Sequence, residues 1–355
     1  KIINNYSTFL MTKKKNPFLI CEISANHCGS ILLAKKLIKC AKKYGADAVK
    51  IQTFTADTMT VNSNKKYFKI KNGLWKGFNL WDLYNKGKTP LTWHKELFHY
   101  AKKIGITIFS TPFDESAVTF LQKLNCPIYK VASFEMTDHL LIKKIALTKK
   151  PMIISTGMAS LREIEQSLKV AKKFGAKNIT LLYCVSNYPS KISDFNLNNI
   201  KIMKKKFKCK IGLSDHSKDD RVAMVAVALG AEVIEKHIAL DKQKKGLDID
   251  FSLKGKEIER FRKSINLVSQ LRGKDYFFRN KSEDKSKNYR RSIFVVKNIK
   301  KGEKFSNQNI KRIRPGHGIS PVYFDKILGK TSPLNLRKET PLKHKILKAL
   351  NIKVI

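Results

Sequence analysis

Eight short apolar or β-branched runs, each followed by a stretch of helical periodicity, constrain this chain more than any other feature. They are FLICEIS (18–24), AVKIQTF (48–54), ITIFSTPF (106–113), IYKVAS (128–133), PMIISTG (151–157), ITLLYCVS (179–186), KIGLSDH (210–216) and VIEKHIAL (233–240). Nearly continuous apolar character is the pattern of parallel strands covered on both faces. Between them lie segments such as LLAKKLIKCAKKYGA, WHKELFHYAKKIG and LREIEQSLKVAKKFGA, several with Gly just before the next strand, a helix C-cap signal. Eight strand–helix units over about 250 residues predict an α/β protein with a (β/α)8 TIM barrel. An open doubly wound sheet is the alternative, but no GxGxxG follows the first strand.

The rhythm sets the domain reading. Residues 1–16 form an N-terminal extension, 17–272 the barrel, 273–290 a polar, charged linker, and 291–355 a small independent module with short strands and a KKGE turn. One interval is anomalous: between the second and third strands, residues 55–88 form a long insertion before a helix near Trp93. Long loops after barrel strands carry substrate contacts more often than packing roles.

Charge narrows the function classes less than its size suggests. The chain has 72 Lys+Arg against 28 Asp+Glu, a net charge of +44. Such a field suits a nucleic-acid or membrane-surface binder. The lysines, however, are spread over every segment and gather in no single arm. A Lys-rich solvated surface explains them, and so does a basic field drawing in a small anion; no specific nucleic acid is expected. No apolar run approaches the ~20 residues of a membrane span, and the N-terminus lacks a secretory pattern. A soluble, cytoplasmic protein is therefore expected, with no membrane partner. The six cysteines form no C-x-x-C pair and suit a reducing compartment. Cys28, beside His27 in a loop, is the one to watch as a reactive thiol.

In a parallel barrel the reactive groups stand at the C-terminal strand ends. Here those ends carry Glu22, Asn26 and His27; Lys50 and Gln52; Ser110 and Thr111; Lys130, Ser133 and Glu135; and Ser155 and Thr156. The sixth to eighth carry Ser186, Asn187 and Tyr188; Ser214, Asp215 and His216; and Glu235 and His237. Strand alternation puts Lys50 with Gln52, Ser214 with His216, and Glu235 with His237 on shared faces, and turns Lys236 towards the helices or solvent. Lys50 and Lys130, with hydroxyls at Thr111, Ser133, Ser155 and Ser214, form a cradle for a phosphate and a carboxylate. The plainer alternative is that these lysines pair with Glu22, Glu135 and Glu235 for structure alone. His216 and His237 end adjacent strands, where two neutral imidazoles suit a divalent cation: manganese first, with magnesium, cobalt or zinc as alternatives.

The ordered set EISANHCGS, AVKIQTF, STPFD, YKVASFE, ISTGMAS, GLSDHS and IEKHIALD resembles the sialic acid synthase (nonulosonate synthase) family. The tail SIFVVKNIKKGE…IRPGHGISP…LGK resembles that family's C-terminal SAF, or antifreeze-like, domain. KNGLWKGFNLWDLY followed by TPLTWH, in and after the insertion, is similar to the pseudaminic acid synthase branch, where sugar discrimination would be expected. The resemblance implies condensation of phosphoenolpyruvate with an open-chain N-acetylated amino sugar, releasing phosphate by C–O cleavage. It implies that Lys50, Thr111, Lys130, Ser133, Ser155, Ser186 and Ser214 hold phosphoenolpyruvate and that His216 and His237 hold the metal. Gln52, Tyr188 and Asp248 would contact the sugar, with Glu22 and Glu135 near the reacting centre. Arg314, in the RPG motif, would reach the barrel of the other subunit in a domain-swapped homodimer. The chain departs from the family pattern at Cys28, Val185, Leu247 and Ile249, which bears on sugar contacts near Asp248. An N-acetylneuraminate or legionaminate synthase, a Schiff-base lyase using Lys130, and a basic nucleic-acid-binding protein are the competing readings.

Overall fold

A computed structural model describes residues 16–354. All but the last residue of the expected N-terminal extension lies outside them. The chain divides between Gly273 and Lys274 into two compact units.

The first unit is a closed parallel barrel. Its strands are β1 (Phe18–Glu22), β2 (Ala48–Thr53), β3 (Thr107–Pro112), β4 (Tyr129–Val131), β5 (Met152–Ser155), β6 (Ile179–Cys184), β7 (Lys210–Asp215) and β8 (Val233–Ala239). Each pairs with the next, and β1 pairs with β8 to close the ring; a short β9 (Leu253–Lys254) adds to β8. Several strands stop earlier than their apolar runs: β4 ends at Val131, releasing Ser133 and Glu135 into the loop above it. Helices cover the outside because their apolar stripes face the strands. In Ile31–Lys43 the buried positions are Ala34, Leu37, Ile38, Cys40 and Ala41, and Ser30 caps its start by accepting from the Leu33 N–H. Leu161–Lys173 opens with a Ser160–Glu163 capping box. One continuous apolar core runs between sheet and helices.

Closure sets the register that matters for chemistry. Glu22 lies opposite Lys50 on β2 and opposite His237 on β8. Gln52 lies opposite Thr111, and Ser214 opposite Glu235. The insertion is more ordered than a loop: it contains helices Ala56–Met59 and Leu80–Gly87 and a 3-10 turn, Lys66–Phe68.

The second unit has its own core of Ile293, Val295, Phe305, Ile310, Tyr323, Leu342 and neighbours. Strands β10 (Ser292–Val295) and β11 (Ile310–Ile313) pair antiparallel within it. The stretch read as a linker carries a 3-10 helix, Lys281–Tyr289, with no buried residue. It is tied to the RPG turn, where the Gly316 N–H donates to the Asn288 carbonyl at 2.8 Å. No helix among the described residues is long and apolar enough to cross a membrane.

Candidate active site

The C-terminal ends of the strands surround one cavity of about 440 Å³ in the first unit. Both predicted lysines enter it, and both are almost wholly buried. Lys50 Nζ pairs closely with Glu22, lies 3.7 Å from Glu235 Oε1 and donates to Thr111 Oγ1 at 3.1 Å. Lys130 Nζ lies 3.8 Å from the same Glu235 oxygen and donates to Ser155 Oγ at 2.7 Å. Ser214 Oγ donates to Glu235 Oε1 at 3.2 Å. Glu235 is thus a hub between two cations, and its Oε2 is buried without a hydrogen-bond partner. Burial pushes the Glu235 carboxyl up, but Lys130 and Lys50 outweigh it and hold the pKa down at about 2. For Lys50, burial is outweighed by Glu22 and Glu235, which raise its pKa. Burial wins at Lys130 and lowers it.

The two catalytic candidates separate. Glu22 is fully buried behind Lys50, and its Oε1 accepts from the Ser24 N–H at 2.6 Å. Glu135 lines the cavity, has a buried Oε2 with no hydrogen-bond partner, and is pushed up to about 7 by burial, against the pull of Lys130.

His216 and His237 meet at the cavity wall with ring centroids 5.3 Å apart. His216 Nδ1 lies 3.3 Å from the Val185 carbonyl, a contact that turns Nε2 towards acceptor duty when Nδ1 carries the proton. His237 Nδ1 is buried without a hydrogen-bond partner, 3.5 Å from Asp248 Oδ2. Burial pushes the Asp248 carboxyl up, but contacts with His237 and Ser24 outweigh it and lower the pKa. No group of three or more His, Cys, Asp or Glu among the described residues is arranged to hold a metal ion. Two imidazoles whose rings meet at the cavity wall are a donor set that a divalent cation could use only together with oxygen ligands, and they do not make a closed structural site.

Gln52, Tyr188, Ser133 and Ser186 also line the cavity. The Tyr188 ring lies 4.4 Å from His216 and 5.4 Å from Trp75, and burial raises its phenol pKa. Arg314 lies in the second unit, exposed in the turn after β11.

Other strand-end residues do not enter the cavity. Asn26 Nδ2 donates to the Ile238 carbonyl and Ser252 Oγ at 2.9 Å each, pinning the segment after β1 to β8 and to the turn at Ser252. His27 is buried beside Thr89 and pushed down to about 4 by that burial, so it stays neutral. Asp215 faces outward and pairs with Lys236 at 2.8 Å. Lys236 turns away from the mouth as alternation predicts and is buried rather than in solvent, because Asp215 neutralises it there. Cys28 is exposed, but partial burial raises its thiol pKa and its Sγ is 3.2 Å from the Lys245 carbonyl, neither of which favours a reactive thiolate. Sequence reasoning named Glu235 only as a strand-end group and a structural partner of the lysines, and gave Cys184 no role, although its Sγ lies 3.8 Å from His216 Nδ1. The signal for Glu235 was present: it stands two residues before His237, on the same face.

The model of the NeuB family matches residues 37–276, and that of the SAF domain matches residues 290–346. The chain belongs to the NeuB family. This NeuB-family chain is 41% identical over 341 residues to a pseudaminic acid synthase of Campylobacter jejuni, covering 96% of this chain and 98% of the relative. It is 40% identical over 329 residues to an N,N'-diacetyllegionaminic acid synthase of the same species, covering 92% and 98%. Among solved structures, an N-acetylneuraminic acid synthetase of Leptospira borgpetersenii superposes with a TM-score of 0.69 at 30% identity, over 77% of this chain and 90% of that one.

Proposed function

We propose that this chain is a phosphoenolpyruvate-dependent nonulosonate synthase of the pseudaminic acid type. It joins the enol carbon of phosphoenolpyruvate to the aldehyde carbon of an N-acetylated 2,4-diamino-2,4,6-trideoxy hexose of the altrose type. Water adds at C2 and phosphate leaves by C–O cleavage, so the products are a nine-carbon nonulosonate and inorganic phosphate. The observation that carries this reading is the pair of buried lysines, Lys50 and Lys130, in one cavity with the His216–His237 imidazoles.

Lys50 and Lys130 bind the phosphoenolpyruvate anion, with Thr111, Ser133, Ser155, Ser186 and Ser214 as hydroxyl donors, and much of the rate comes from that positioning. Glu135 takes a proton from the attacking water, a role supported by its place on the cavity and its raised pKa. Glu22, behind Lys50, keeps that lysine charged and aimed. Gln52, Tyr188 and Asp248 orient the sugar. A divalent cation, manganese before magnesium, cobalt or zinc, would be held by His216 and His237 and supplies Lewis-acid polarisation of the sugar carbonyl when bound. Arg314 of a second copy completes the mouth in a domain-swapped homodimer, and the enzyme works in the cytoplasm.

The deciding experiment is phosphate release from phosphoenolpyruvate with each amino sugar offered separately. Release with the altrose-type trideoxy sugar alone supports the reading. Turnover of only the sugar precursor of legionaminate or N-acetylneuraminate reassigns the substrate. A borohydride-trapped pyruvate adduct on Lys130 replaces the synthase with a lyase.

A further inference from the structure

The insertion after β2 is rich in lysine, yet it sends none into the cavity. Lys65, Lys66, Lys69, Lys71, Lys76 and Lys86 are all exposed, and the half-buried Lys88 does not line the cavity. The insertion side chains that face inward are Met59, Ile70, Trp75, Leu80, Leu83 and Tyr84. A lysine-rich segment beside an anion site would be expected to contribute a cation if that wall met charge. This wall presents mainly apolar side chains to the cavity.

The wall is built, not incidental. Ile70 exchanges backbone hydrogen bonds with the far side of a turn: its N–H donates to the Phe78 carbonyl, and its own carbonyl accepts from Gly77 N–H, both at 3.0 Å. Gly77, at φ +92°, supplies the left-handed step that turn needs. Trp75 Nε1 donates to the Leu247 carbonyl at 3.1 Å, tying the insertion to the loop that carries Asp248. The Trp75 indole N–H is therefore occupied, and the polar group left on this wall is the Tyr84 hydroxyl.

The substrate's chemistry then fixes what lies against the wall. The aldehyde end of an open-chain hexose must reach the barrel floor, where the lysines and imidazoles are. The opposite end, C6, points to the mouth, where the insertion stands. We infer that Met59, Ile70 and Leu80 form a subsite for a methyl group at C6 and so select 6-deoxy amino sugars over their 6-hydroxy counterparts. The inference rests on the synthase reading and adds specificity residues to it. A hydroxyl placed against these three side chains loses water and gains no partner from them, and an apolar pocket rejects such an added hydroxyl by up to about 100-fold.

The test uses the purified full chain and two probes: an N-acetylated amino hexose with a methyl at C6, and the same sugar with a hydroxymethyl. Wild type is expected to favour the methyl sugar by about 10- to 100-fold in kcat/KM. Ile70→Asn and Leu80→Asn each lower that ratio by about 10-fold while the phosphoenolpyruvate KM stays at the wild-type value. Met59→Gln, on a separate element, does the same and guards against misfolding of the turn. An unchanged ratio in all three variants, or a wild type indifferent to the C6 substituent, overturns the subsite and leaves the synthase reading standing. No phosphate release from wild type with either sugar overturns both.

Discussion

Glu235 shows how one side chain organises the site. A carboxylate between two amines favours the charged form of each in a place where burial opposes charge. Without ligand, the Lys50–Glu22–Glu235–Lys130 set is close to neutral, so the lysines are aimed but not repelled. Lys130 is the less protected of the two, because burial prevails over its carboxylate contact. Lys130→Met is therefore expected to lower kcat/KM for phosphoenolpyruvate by at least ~10-fold, since a hydrogen bond to a charged group is worth about 1.5 kcal/mol or more. Steady-state kinetics with phosphoenolpyruvate varied checks this, and unchanged values would make the lysine structural. Glu135 yields a pH prediction. Burial raises its pKa to about 7, so it is protonated below that pH and cannot accept a proton, while above it the carboxylate is available. The rate should rise with pH through about 7, and Glu135→Gln should lose that limb. A pH profile that keeps the limb in the variant removes Glu135 as the base.

Among the elements, the exit of β5 carries a constraint that composition alone would not suggest. Gly157 follows Ser155 and Thr156, and its N–H donates to Ser133 Oγ at 3.1 Å. A β-carbon at this position would collide with Ser186 Oγ and come within 2.8 Å of Ser133 Oγ. Glycine is needed here because two proposed cradle hydroxyls, from the loops after β4 and β6, converge on its backbone. Gly157→Ala should displace both, raising the phosphoenolpyruvate KM several-fold and costing about 1–3 kcal/mol of stability through overpacking. Thermal melts together with KM for each substrate read the two effects; an unaltered phosphoenolpyruvate KM would mean those hydroxyls do not hold that substrate. The insertion works at the same scale. Its two helices and closed turn convert a long loop into a wall whose polar side faces water.

For the whole molecule, the proposed swap makes a sharp prediction. A plain exposed arginine contributes little, so Arg314 matters only if a partner barrel receives it, where exclusion of water strengthens its charge interactions. An Arg314→Ala chain mixed with a His237→Ala chain should regain a fraction of wild-type activity, because a mixed dimer holds one site with both residues intact. Demonstrated subunit exchange without recovery, or an active monomer, defeats the shared site. Strand order, the barrel class and the sharing of faces by Lys50 with Gln52 and Glu235 with His237 were all legible in the sequence. Periodicity and alternation are local properties, decided by neighbours two to four residues apart. That the lysines could pair with Glu22, Glu135 and Glu235 was legible, but not that Glu22 withdraws behind Lys50, that Glu235 sits between both lysines, or that Lys236 is buried against Asp215. The Glu22–Lys50 and Asp215–Lys236 pairs depend on the register between neighbouring strands, and Glu235 reaches Lys50 only because ring closure joins β1 to β8 across most of the barrel sequence. The insertion is the clearest case: KNGLWKGFNLWDLY reads as part of a long loop, and it becomes an apolar wall only when Trp75 meets Leu247, 172 residues away. Local sequence set which side chains could face inward, and long-range closure decided which of them meet.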